Sequence, residues 1–205
     1  MTKPLCSLHL LGAVWLLCAS LIPSGAVAAS ASPIPAGGYT LLPDESVVTI
    51  LVRSTLHDFE VRAKAPKGKL TASAAEAGSI RLRLELSPRD MESGSYMRDT
   101  VMREDVLEIQ KFPDIVFEAS EATYTGEEKG TPVYRVKGAL TLHGVRKELS
   151  FPVRARLAGG RLTAEARFDL KISDYQMTVP SPLPFLYTQD TLTLTARFVL
   201  KRRGN

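Results

Sequence analysis

Cysteine is scarce in this 205-residue chain, and both copies, Cys6 and Cys18, fall near its start. That segment reads as a secretory leader. Lys3 supplies the positive charge, Leu5 to Ile22 an uncharged, largely apolar run, and Ala26-Val27-Ala28 an A-x-A cleavage site. A retained membrane anchor is the rival reading, but the apolar run is near the lower length limit for spanning. A lipoprotein signal wants a small residue just before its cysteine, and Leu17 precedes Cys18. With the leader removed after Ala28, the exported chain is expected to contain no thiol. It would then have no disulfide, and its fold must rest on a core. A thiol nucleophile, a thiolate zinc site and an iron–sulfur cluster are excluded with it.

Other catalytic material is also thin. There is no H-E-x-x-H, no G-x-S-x-G and no G-x-x-x-x-G-K. Concentrated Lys/Arg clusters are missing, and a net charge of +4 is too mild to argue for nucleic acid. Beyond the leader only two histidines occur, in the related phrases "STLHDF" (Ser54 to Phe59) and "LTLHGV" (Leu140 to Val145). Without cysteine, a metal site would need His57, His143 and carboxylates. His57 and Asp58 are adjacent, and neighbours on a regular strand point to opposite faces, so they would chelate one ion only if a turn intervened. The simpler reading places both histidines at strand ends, bonded to backbone or solvent. No catalytic residue, metal or cofactor is assigned.

What the chain has is alternation. After a Pro- and Gly-containing lead-in, residues 29–38, a single domain is expected over 39–205. Ile80 to Leu86 sets four aliphatics against three charges. Tyr134, Val136, Leu140 and Leu142 share a face, as do Leu149, Phe151, Val153, Ala155 and Leu157. Leu162 to Ile172 and Leu192 to Leu200 repeat the pattern, and shorter runs lie near 47–55, 59–64, 68–73 and 115–124. Period two marks strands with one apolar face. His143-Gly144 and Gly159-Gly160 mark tight turns, the latter a two-residue hairpin signal. The fold class is therefore all-β: an antiparallel sheet of eight or nine strands whose dry face is covered by another sheet or by closure on itself.

Two segments break the pattern. Met102, Val106 and Ile109 recur at helical spacing, and Pro113 blocks continuation, so Ser95 to Gln110 is expected to be a helical excursion. Its acids, Asp99, Glu104, Asp105 and Glu108, alternate with Arg98 and Arg103, as on a solvated face. Ser173 to Asp190 carries three prolines but also Tyr175, Met177, Leu183, Phe185, Leu186 and Tyr187, and should pack on something. Arg81, Arg83, Arg154, Arg156, Arg161, Arg167 and Arg197 make the polar strand face basic, but Glu85, Glu148, Glu165 and Asp169 dilute the field.

An eight-stranded barrel has a lumen that side chains fill or that holds one small ligand. Ala155, Ala164, Ala166 and Ala196 fall on inward positions where larger residues would take more volume. They leave room for a cavity, although small residues also accommodate barrel taper.

"YMRDTVMREDVLEIQKFPDIVFEAS" followed by "YRVKGALTLHGVRKELSFPV" resembles the signature of the YceI-like, polyisoprenoid-binding family of exported proteins. The matching positions are Arg98-Asp99, then Lys111, Pro113, Ile115 and Phe117, then Gly138 to Val145; "STLHDFEV" is similar to the family's early strand and turn. The resemblance implies an extended, lipocalin-like antiparallel β-barrel of about eight strands with a short helical insertion. It implies a periplasmic protein without established catalytic machinery, whose lumen accommodates a long isoprenoid or other amphiphilic lipid. His143 would then belong to a structural hairpin. One departure stands out. Where many members carry R-x-D-F/Y-G, this chain has Ile172-Ser173-Asp174-Tyr175-Gln176, without the arginine and the glycine.

The expected lining is Leu82, Leu84, Val136, Phe151, Phe168 and Phe198, with Met102, Val106, Tyr175 and Phe185 near an entrance. The expected function is a periplasmic binding or carrier protein for an apolar or amphiphilic chain. Two alternatives stay open: a hydrolase or isomerase acting on an amphiphile through His57, His143 and a carboxylate, and a stress-related module with a filled barrel. Transient contact with a membrane surface, and a monomeric or homodimeric state, also stay open.

Overall fold

The computed structural model describes residues 34–73, 78–181 and 183–203. The leader, 1–28, and its two cysteines lie outside the described residues.

The described residues form eleven antiparallel strands: β1 (Gly37–Leu41), β2 (Val47–Ser54), β3 (Phe59–Lys64), β4 (Lys67–Ala72), β5 (Ser79–Leu86), β6 (Met91–Glu92), β7 (Ile115–Glu128), β8 (Thr131–Leu142), β9 (Val145–Ala158), β10 (Arg161–Lys171) and β11 (Thr188–Arg202). β1 begins two residues inside the expected lead-in. The strands pair in the order β1-β4-β5-β7-β8-β9-β10-β11, and β11 returns to β1, closing a barrel of eight. β2, β3 and β6 prolong β1, β4 and β5 at one end, so three of the eight staves are broken strands.

Each break has a local cause. Proline cannot donate to a ladder, and Pro43 opens the single turn between β1 and β2, Pro66 stands between β3 and β4, and Pro88 opens the turn between β5 and β6. At the first break a side chain replaces the backbone. The buried Ser46 hydroxyl donates to the Leu42 carbonyl at 2.8 Å and accepts from the Val199 amide at 3.0 Å. This lets β11 pass from β1 (Leu41 opposite Leu200) to β2 (Val47 opposite Arg197).

Two-residue hairpins join the long strands where left-handed pairs predict them. His143-Gly144 has φ of 51° and 73°, and Gly159-Gly160 has 56° and 73°. Both central residues at positive φ give the turn whose twist matches that of its strands. On the outer wall Glu118 sits between Arg83 and Arg146, at 2.6 and 2.9 Å, and Glu165 lies near Arg154 and Arg197. The basic face is thus interleaved with carboxylates, and such exposed pairs contribute little.

The helical excursion is shorter than its spacing suggested. α1 covers Tyr96–Val101, and one π turn, Met102–Val106, continues it. Leu86 still pairs with Ile115 of β7, but β6 has left β7 to join β3. Residues 93–114 span the opening this creates. The wall is also incomplete opposite. β9 and β10 pair only from Ala158–Arg161 to Val153–Ala166, and beyond that the rings of Phe151 and Phe168 stack at 4.2 Å across the seam.

Candidate functional site

The period-two pattern turns one row of each strand inward, and the staggered breaks spread those rows along the barrel axis. They do not fill it. A cavity of about 310 Å³ runs through the lumen from Ile34 and Leu200 at one end to Val179 and Thr188 at the other. That volume is at the lower end of the roughly 300–1,000 Å³ typical of small-molecule sites. A barrel filled solid by its side chains is therefore not what this sequence builds.

Ala155, Ala164, Ala166 and Ala196 all line the cavity, as their parity predicts. Ala164 and Ala166 face the lumen yet remain only half-buried, because the surface they lack neighbours for is the cavity wall. Across its waist lie Phe117, Phe151 and Phe168, with Phe117 and Phe151 ring centroids 5.5 Å apart. Apart from Arg98, every side chain on the lining is uncharged, and nearly all are hydrocarbon. Such a surface binds by excluding water, and each methylene transferred to it contributes roughly 0.8 kcal/mol.

All six expected lining residues are on it, Leu82, Leu84, Val136, Phe151, Phe168 and Phe198, and so are Met102 and Val106 of the four expected near an entrance. The other two, Tyr175 and Phe185, do not touch the cavity. Tyr175 is 1 % exposed, packed beneath a single turn, Ser173–Tyr175, that ends on Gln176 at φ 56°. Its burial pushes the phenol up to about 12. Phe185 is 66 % exposed, and with Leu183 and Tyr187 it points to solvent. The irregular segment therefore divides: Tyr175 and Met177 pack and Val179 reaches the lumen, while the aromatics after Pro182 stay outside. Alternation located no entrance, because neither segment near it is a strand.

Arg98 was the residue the strand pattern could not find. It shares a helical face with Val101 and Met102, at i+3 and i+4, and that spacing was the available signal. Val101 lines the cavity and is 39 % exposed, so the lumen meets solvent beside α1. The Arg98 guanidinium lies 4.0 Å from the Phe59 ring centroid. Its Nε donates to Ser93 Oγ at 2.8 Å and its Nη2 to Ser93 O at 2.9 Å. The buried Asp99 carboxylate accepts from the Ser93 amide at 2.8 Å and from Ser93 Oγ at 2.5 Å. Asp99 thus fixes Ser93, and Ser93 fixes Arg98.

The two histidines have different surroundings. His57 is exposed in the turn after β2, its carbonyl accepting from Ser54 Oγ at 2.7 Å, and Asp58 accepts from the Ser54 amide at 3.3 Å. His143 is 10 % exposed and sits between Glu108 and the Tyr175 carbonyl. The two histidines have no partner in common. Among the described residues no group of three His, Cys, Asp or Glu side chains is placed to hold a metal ion.

The comparisons agree with this architecture. The family model described as the YceI-like domain matches residues 39–200. Burkholderia cenocepacia BcnA has a similar structure, with a TM-score of 0.67 at 17 % identity, covering 78 % of this chain and 98 % of its own. A polyisoprenoid binding domain from Saccharophagus degradans, implicated in plant cell wall breakdown, has a TM-score of 0.68 at 16 % identity, covering 80 % and 98 %. The Campylobacter jejuni YceI protein has a TM-score of 0.53 at 16 % identity, covering 71 % and 85 %. A search of curated proteins found no match. At these identities the structures show a shared fold, and the family model, which matches most of the chain, decides membership. This chain, a closed eight-stranded barrel around an apolar lumen, belongs to the YceI-like domain family.

Proposed function

We propose that this protein is a binding or carrier protein that takes an apolar or amphiphilic lipid chain, isoprenoid-like in character, into the barrel lumen. The observation that carries the reading is the cavity of about 310 Å³ with its nearly all-hydrocarbon lining. A structural relative described as a polyisoprenoid binding domain supports the class of ligand. The three-part leader supports export, and with it a periplasmic location.

Delivery from a membrane surface fits the same end of the barrel. Leu56, Phe185 and Tyr187 are exposed there, tied together because Thr55 bonds the Phe185 carbonyl and the Tyr187 backbone. Tyr96 and Met97 are exposed on α1, beside Phe59. Aromatic residues of this kind settle at membrane–water interfaces.

The test is native mass spectrometry of the protein purified gently from the host periplasm, followed by organic extraction. A stoichiometric apolar adduct is expected. A clean apo mass, together with no binding of an apolar fluorescent probe, would overturn the reading. Flotation with lipid vesicles tests the surface contact separately.

A further inference from the structure

The lumen reading says nothing about a head group, but one residue on the lining does. From its place there and from its partners, we infer that Arg98 is a head-group site, selecting amphiphiles whose polar end is a single anion, carboxylate or phosphate. The inference rests on the proposed lumen binding and adds to it a chemical class.

The argument is one of unspent bonding. A guanidinium carries five N–H donors and no acceptor. Arg98 commits its Nε to Ser93 Oγ and one Nη2 hydrogen to Ser93 O. Both Nη1 hydrogens and the second Nη2 hydrogen find no acceptor among the described residues. Those two nitrogens form the edge that receives an oxyanion in two parallel bonds. Nor does a carboxylate occupy that edge. Asp99 reaches Arg98 only through Ser93, and no carboxylate among the described residues is ion-paired with Arg98.

Half-burying a cation against hydrocarbon costs free energy unless something compensates it. The Phe59 ring, 4.0 Å away, offsets part of this and fixes the plane of the guanidinium. The Asp99–Ser93–Arg98 relay holds it before any ligand arrives. A preorganised, unpaired guanidinium where an apolar lumen meets solvent complements an anionic head on an apolar chain.

The test compares dodecanol, dodecanoate and dodecyl phosphate, which share a chain and differ in head, binding to the full-length mature protein at neutral pH. Both anions are expected to bind about tenfold or more tighter than dodecanol, since each tenfold step is about one charge-assisted bond. Arg98→Gln should lose that preference while still binding dodecanol, and an unchanged far-ultraviolet circular dichroism spectrum and melting transition show that the variant folds. Ser93→Ala, which only loosens the guanidinium, should lose part of it. Arg135→Gln, an exposed charge on the outer wall, should keep it.

Within the supporting outcome, tighter binding of dodecyl phosphate points to a lipid phosphate, and equal or tighter binding of dodecanoate to a fatty acid. Equal binding of all three probes by the unaltered protein overturns the inference and leaves the lumen reading standing. The same holds if Arg98→Gln keeps the preference, or if inorganic phosphate competes as well as dodecyl phosphate. If none of the probes binds, the lumen reading falls and the inference with it.

Discussion

His143 and Glu108, 35 residues apart in the chain, meet with Nε2 2.8 Å from Oε2, while the other face of the ring, through Nδ1, lies 3.1 Å from the Tyr175 carbonyl. One side chain in a hairpin turn thus ties the loop after the π turn to the turn after β10. Phe112 closes the arrangement, its ring 4.5 Å from the imidazole. A neutral imidazole donates through one nitrogen and a protonated one through both, so both oxygens are satisfied at once only when the ring carries two protons.

Loss of this clasp should loosen the end of the barrel without unfolding it. His143→Asn keeps a residue that tolerates the left-handed turn, φ 51°, but shortens the reach. The expected cost is about 1–2 kcal/mol by denaturant titration. Faster amide exchange should be confined to residues 107–112 and 173–177.

Lys111 and His143 together hold the Glu108 carboxyl below its ordinary value of 4.5, Lys111 first. A lowered carboxyl stabilises the fold above the unfolded value and loses that contribution as pH falls through the folded one. Stability should therefore decline below about pH 4.5, and Glu108→Gln should flatten that limb. Thermal melts from pH 6 to pH 3 measure it. An unchanged slope would remove the ion pair from the account.

Gly138 is a steric necessity. A Cβ there would lie 2.3 Å from the Glu118 carbonyl oxygen and 2.8 Å from the Ala119 Cα, both backbone atoms of the neighbouring stave. Gly138→Ala should cost about 3 kcal/mol or more by urea unfolding, the upper part of the range for overpacking.

Gln176 closes the turn after β10 in the left-handed conformation, φ 56° and ψ 26°. A non-glycine residue pays about 1–2 kcal/mol for that geometry, against a smaller entropic cost for glycine. Gln176→Gly is expected to raise stability by about 0.5–1 kcal/mol, read as a higher melting temperature.

Ala166 lies on the lumen wall opposite Val153 and Ala196. Ala166→Phe should fill part of the cavity and weaken an apolar probe by about tenfold, while the melting temperature holds or rises. A variant that binds the probe normally would place the probe outside the lumen.

Alternation, turn residues and breakers by themselves determined the all-β class, the inward rows of the long strands, the hairpins at His143-Gly144 and Gly159-Gly160, and a helical interruption before Pro113. They are legible because a pleated strand assigns faces by parity, and a left-handed turn admits few residues, whatever lies across the sheet. The same parity put Ala155, Ala164, Ala166 and Ala196 on the wall. Only the tertiary structure decided that β11 divides its edge between β1 and β2, that Glu108 partners His143, and that Arg98 faces the lumen while Phe185 faces water. Barrel closure and the path of residues 93–114 across the open edge set those relationships. Both join positions far apart in the chain, and no local period records such a pairing.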